Sequence, residues 1–192
     1  MKRAVVLMAI AAALSSPGGA AELAGITLPD SQSVGGDDLR LNGIALRTYS
    51  IFRIPIYVAG LYLVHPDSDP DRILRAGETK LLDIRFIHDV SEESARKAWH
   101  EGFEQNCFSP CRLARADVER FIAGVHAMST GDSFRILFTA DGTEITSNGH
   151  AVASIPGRPF ATAILATFIG PQPPTARLKR ELLGPRLETS GR

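Results

Sequence analysis

A chain of 192 residues, 44% hydrophobic and 22% charged, has the length and make-up of one globular domain. Such a chain can bury roughly two-thirds of its unfolded surface. Its 21 basic and 21 acidic side chains cancel, which argues against a nucleic-acid binder, since that would show a basic stripe.

The first predicted element is a targeting segment. Lys2 and Arg3 form a short basic region, Ala4–Leu14 is an apolar core, and "SSPGGAAE" follows with a helix-breaking Pro17 and small residues. That order is the pattern of a secretory signal peptide over residues 1–21. Cleavage fits ahead of Glu22, with Ala20 as an alternative end. Loss of Lys2 and Arg3 leaves the mature chain slightly acidic. Beyond this segment no stretch reaches the ~20 apolar residues of a membrane span. The expectation is a periplasmic or secreted domain over residues 22–185 and a flexible tail over 186–192.

Strands are predicted at Ile26–Val34, Leu39–Phe52 and Arg53–Val64, where Ile, Val, Leu, Tyr and Phe dominate. "DPDRILRAG" reads as a short helix closing at Gly77, and "KLLDIRFIH", residues 80–88, as another strand. Ser91 is a helix N-cap with Glu92 and Glu93 in the first turn, where the helix dipole favours acids. Ala95, Ala98, Trp99, Gly102 and Phe103 then keep helical spacing.

The only cysteines, Cys107 and Cys111 in "NCFSPCRLA", form a disulfide staple in an oxidising compartment on this reading. Ala114, Val118, Phe121, Ile122 and Val125 mark a second helix stopping near Gly131. Residues 132–155 read as a three-stranded meander, with Asp141-Gly142 and Asn148-Gly149 as two-residue hairpin turns needing positive φ. Pro159 opens a helix with Phe160, Ala163, Ile164, Thr167 and Phe168 on one stripe, ended by Gly170-Pro171. Pro174 opens the last helix, which Gly184-Pro185 closes. Strands, helix pair, strands, helix pair: the class is α+β, with helices on a mostly antiparallel sheet.

Common catalytic signatures are missing: there is no GxSxG, HExxH, Gly-rich phosphate loop or GxGxxG. The five histidines are scattered, so no metal site and no cofactor is expected. The residue that asks for an explanation is Arg47, inside the apolar run "LRTYSIFRIPIYVAGLYL". An unpaired buried guanidinium costs several kcal/mol, of the order of a broken buried ion pair. Either Arg47 leans into water, or it meets an anionic or carbonyl-bearing ligand in a cavity. Arg53, next to a turn, and Arg85 read as solvated.

"LNGIALRTYSIFRIPIYVAGLYL", "FIHDVSEESARKAWHEGFEQN" and "SIPGRPFATAILATFIGPQPPTARLKRELLG" together resemble the bacterial branch of the chalcone isomerase-like family, over roughly residues 23–184. The resemblance implies an open-faced β-sandwich of chalcone isomerase type, an antiparallel sheet covered by a layer of helices with a ligand cleft between them. In the plant enzymes of that family a phenolate adds to an enone within one molecule. Their site pairs an arginine with threonine, tyrosine, asparagine and a further hydroxyl.

Arg47 falls at the family's arginine. Tyr57 stands at the threonine, Ser94 and Ala95 near the tyrosine, Glu101 or Gly102 at the asparagine, and Ala161 near the last hydroxyl. Keeping the arginine while losing its partners is similar to the family's fatty-acid-binding branch, in which an arginine and a tyrosine hold the carboxylate. The resemblance therefore implies a non-catalytic protein that binds a fatty acid or similar amphipathic carboxylate through Arg47 and Tyr57. The acyl chain would run along Ile54, Ile56, Trp99, Phe103, Phe160 and Ile164. Two alternatives stay open: an intramolecular lyase acting on a chalcone-like enone, and a protein-interaction module whose cleft is packed shut by Trp99 and Phe103.

Overall fold

The computed structural model describes residues 19–107 and 113–185. Its frame is a seven-stranded antiparallel sheet whose strands run in sequence order, each hydrogen-bonded to the next. These are β3 (Ser31–Val34), β4 (Asp37–Tyr49), β5 (Ile54–Leu63), β6 (Lys80–Phe86), β7 (Ser133–Phe138), β8 (Gly142–Ser147) and β9 (His150–Pro156). Two further strands, β1 (Ala20–Leu23) and β2 (Ile26–Pro29), form a separate hairpin. The expected strand over Ile26–Val34 is thus two strands broken at Asp30. β2 pairs back with β1, while β3 turns to pair with β4.

Alternation along the strands sorts side chains to two faces. One face carries the rows Ala45, Ala59, Ile84 and Phe134, and then Leu61, Leu82, Ile136 and Ile145. All eight are buried, because the helices lie on this face. They are α1 (Pro70–Arg75), α2 (Glu92–Asn106), α3 (Arg115–Ala123), α4 (Arg158–Ile169) and α5 (Ala176–Leu182). On the opposite face Leu39, Tyr62 and Leu81 form a smaller cluster, and Leu28 of the β1–β2 hairpin lies against Tyr62 and Leu41 beside Gly60.

Local chemistry accounts for the helix ends. The Asp69 side chain accepts from the backbone N–H groups of Asp71 and Arg72 at the start of α1, and Ser91 accepts from Ser94 N–H at the start of α2. α3 is shorter than its apolar spacing suggests. It ends at Gly124, not near Gly131, because the chain there runs against β9. A β-carbon on Gly124 would sit 2.6 Å from Val152 Cγ1, and the chain then leaves to bridge Met128 with Val90.

One hairpin also differs. Asn148 and Gly149 adopt φ of 50° and 79°, as a tight turn requires. Gly142 instead begins β8 with negative φ, and the β7–β8 loop spans residues 139–141. Pro159 lies one residue inside α4, which starts at Arg158 after Gly157. Thr175, not Pro174, caps α5. Cys111 lies outside the described residues, as do Met1–Gly18 and the tail after Pro185, so the staple, the tail and all of the targeting segment but residues 19–21 do too; Ala20 and Ala21 belong to β1. No helix among the described residues is long and apolar enough to cross a membrane.

Candidate functional site

Where β4, β5 and β6 end, their inner-face row becomes Arg47, Tyr57 and Phe86. Arg47 is the cross-strand partner of Tyr57, and Tyr57 the partner of Phe86. A register shift between Arg47 and Thr48 interrupts the β4–β5 ladder at this point, and such bulges re-aim side chains at strand ends. Over this row the helices stand off the sheet and leave a cavity of about 570 Å³. That volume is in the range that holds a small-molecule ligand.

Its sheet-side wall includes Ile54, Ile56, Ile84, Phe86 and Phe134, and its helix-side wall Ala95, Trp99 and Phe168. Trp99 is fixed there by edge contacts with Phe121 (4.9 Å between ring centroids) and Phe168 (5.7 Å). Tyr57 and Phe86 meet edge to face at 5.6 Å.

Polar groups reach the lining from several elements, and Arg47 and Tyr57 are the pair that the sheet itself presents. The Arg47 guanidinium donates from Nη1 to the carbonyl oxygen of Thr48. Among the described residues no carboxylate lies within ion-pair distance of it. A guanidinium carries five N–H donors in a fixed fork, and beyond the bond to Thr48 those of Arg47, which lines the cavity, have no hydrogen-bond partner among the described residues. The Tyr57 hydroxyl is likewise without a hydrogen-bond partner among the described residues. Burial pushes its pKa up to about 12, a rise that the nearby Arg47 charge, acting the other way, does not cancel. Tyr57 is therefore a neutral phenol and a hydrogen-bond donor across the physiological range.

The structure brings together Arg47, Tyr57, Trp99, Ile54 and Ile56 on the cavity wall. It does not bring Phe103, Phe160 or Ile164 there. Phe103 and Phe160 contact one another and Phe121 in the main core, and Ile164 is fully buried in the same cluster. Their helices bury these side chains in the main hydrophobic cluster.

Arg53 is exposed in the β4–β5 turn. Arg85 is not simply solvated. It lies on the other face of the sheet, where Nε and Nη2 donate to the buried carboxylate of Asp83 at 2.8 and 3.0 Å. Arg135 approaches the same carboxylate at 3.5 Å.

Of the remaining positions singled out by family pattern, Ser94, Ala95, Glu101 and Gly102 line the cavity and Ala161 does not. The Ser94 hydroxyl accepts from Ser91 Oγ at 2.9 Å, within the N-cap of α2. Gly102 lies where α2 meets α4, and a β-carbon on it would stand 3.2 Å from Thr167. Close helix contact, not a polar side chain, occupies that position.

Sequence reasoning missed His88, Lys97 and His126 on the cavity wall, together with Met128 and Thr167. His88 was accessible in principle, because it continues the period-two series Ile84, Phe86 on β6. Thr167 donates to the Ile164 carbonyl at 2.7 Å and so adds no free polar group. Among the described residues no group of three or more His, Cys, Asp or Glu side chains could hold a metal ion.

Comparison with known proteins gives two matches of different kinds. The family model described as chalcone isomerase-like matches residues 20–184. Among solved structures, a fatty-acid binding protein from Arabidopsis thaliana superposes with a TM-score of 0.71 at 16% sequence identity, covering 86% of this chain and 96% of that one. No curated protein matches. At that identity the superposition shows a shared fold, the chalcone isomerase type, and nothing finer.

Proposed function

The chain belongs to the chalcone isomerase-like family, and from that premise we propose that it is a non-catalytic binding protein for a fatty acid or similar amphipathic carboxylate. One observation carries the reading: an arginine without an acidic partner among the described residues and a neutral tyrosine sit side by side on the wall of a largely apolar cavity. A guanidinium fork and a phenol O–H are complementary to a single carboxylate, and charge-assisted bonds of this kind strengthen where water is excluded. The aliphatic and aromatic walls suit an acyl chain. That a fold relative is a fatty-acid binding protein supports the same assignment.

The geometry favours binding over chemistry. An isomerase needs donors and a proton-transfer group arrayed around the developing oxyanion. At the positions where the family places its tyrosine, asparagine and last hydroxyl, this chain has Ser94 or Ala95, Glu101 or Gly102, and Ala161, so the phenol, the amide and the last hydroxyl are all replaced. The interaction-module alternative required a cleft closed by Trp99 and Phe103. Trp99 instead borders an open cavity, and Phe103 belongs to the core.

Export, removal of residues 1–21 and a Cys107–Cys111 disulfide complete the proposal. Native mass spectrometry of the protein recovered from the cell envelope, followed by organic extraction, tests these points together. The expected result is a processed chain, 2 Da lighter than its reduced form for the disulfide, carrying one equivalent of a long-chain carboxylate. An unprocessed, fully reduced chain with no extractable acid would contradict it.

A further inference from the structure

The β4–β5 turn is the apolar extremity of the molecule. Ile51 is 89% exposed and Phe52 80%, flanked by Tyr49 at 63% and Ile54 at 37%. Single exposed apolar side chains are ordinary on protein surfaces, but four within six consecutive residues make a projecting patch, and such patches mark interaction sites. The turn is also held in shape. Ser50 and Arg53 adopt φ of 63° and 52°, a left-handed conformation that disfavours residues with a β-carbon. Arg53 N–H donates to the Ser50 carbonyl at 3.1 Å, and Phe52 N–H to Ser50 Oγ at 3.2 Å. Ile51 and Phe52 are thus presented outward by a strained, hydrogen-bonded turn.

Two further observations say what covers them. Tyr49 and Ile54, cross-strand partners at the base of the turn, are also part of the cavity wall, so apolar surface is continuous from the tip to the ligand cavity. The turn itself is cationic: between Tyr49 and Ile54 it carries the exposed Arg53 and no acid, while the acids of the adjoining cavity wall, Asp89 and Glu101, come from other elements. Aliphatic and aromatic side chains at a tip, with an exposed arginine beside them, match the acyl and headgroup layers of an anionic bilayer in turn.

We infer that the Tyr49–Ile54 turn inserts into an anionic phospholipid surface, so that an acyl ligand passes between bilayer and cavity without crossing water. The inference rests on the fatty-acid reading of the cavity, because such a ligand partitions into membranes and a protein that carries it must load there.

The test uses the full chain carrying Ile51→Trp, with vesicles of phosphatidylglycerol and phosphatidylethanolamine whose acyl chains are brominated. Trp99 is the only native tryptophan, so the unsubstituted protein supplies the background. The indole at position 51 should shift to the blue and be quenched several-fold more than Trp99. The double variant I51E/F52E should slow transfer of a fatty acid out of vesicles at least tenfold, while its affinity for the acid in vesicle-free buffer stays unchanged. Emission at position 51 that ignores the vesicles overturns the inference. So does concentration-dependent self-association that I51E/F52E abolishes while transfer from vesicles is unaltered. Quenching at position 51 in a protein that binds no acid in vesicle-free buffer overturns the cargo reading and leaves insertion standing.

Discussion

Arg47→Ala should remove carboxylate binding while leaving the fold intact. A carboxylate in the cavity would lose its charged partner and be left desolvated beside Tyr57 and an apolar wall. Truncating one member of a buried, hydrogen-bonded charge pair weakens association by about 2–4 kcal/mol, roughly 30- to 700-fold. Isothermal titration with a long-chain fatty acid measures this.

The unliganded protein should tolerate the change well. Among the described residues Arg47 makes no ion pair, and its hydrogen bond to the Thr48 carbonyl is local. Removing a half-buried cation that nothing neutralises should shift stability by less than about 1 kcal/mol, in either direction. Arg47→Lys should recover part of the affinity, since it keeps the charge and loses the fork. Unchanged affinity in Arg47→Ala would show that the anchor lies elsewhere.

Phe121→Ala should give the largest loss of stability. Phe121 is fully buried and touches the rings of Trp99, Phe103, Phe134 and Phe160 at centroid distances of 4.9 to 6.4 Å. It joins α3 to α2, α4 and the sheet at once. Deleting a ring from such a site leaves a void that four elements cannot jointly close, and costs about 3–5 kcal/mol. For a domain of this size that lowers the melting temperature by roughly 6–20 °C, read by circular dichroism. Trp99 would also lose its closest ring partner, so any ligand affinity that remains should fall. A melting point within about 2 °C of the parent protein would mean that the ring cluster is less tightly packed than its geometry implies.

The frame of the molecule was legible in the sequence because its signals are periodic. Alternation along 39–64 and 133–156 gives the strands, Ser91 starts α2, and Asn148-Gly149 makes a turn. The errors occur where distant contacts intervene. The end of α3 is set by how closely Gly124 approaches Val152, and no local pattern records that approach. The break at Asp30 depends on which strand each neighbouring segment pairs with.

The site divides along the same line. Arg47, Tyr57, Ile54 and Ile56 were readable because a hairpin places them together, and the odd feature, a guanidinium in an apolar run, was visible in one dimension. Phe103, Phe160 and Ile164 have the same apolar, helix-periodic character as Trp99, and nothing in their spacing says which side chain borders a void and which fills the core. That distinction depends on where α2 and α4 sit over the sheet. Lys97 and His126 were missed because isolated polar residues carry no periodic signal, whereas His88 was passed over although it continues the alternation of Ile84 and Phe86.

The central claim is that the cavity recognises a carboxylate head on an acyl chain. Titrating the protein with a long-chain fatty acid and with the alcohol of equal length, while following the emission of Trp99, tests it directly, since Trp99 is the sole tryptophan and borders the cavity. The account predicts saturable change at one equivalent, with the acid bound at least tenfold more tightly than the alcohol. Equal affinity for the two, or no response to either, would contradict it.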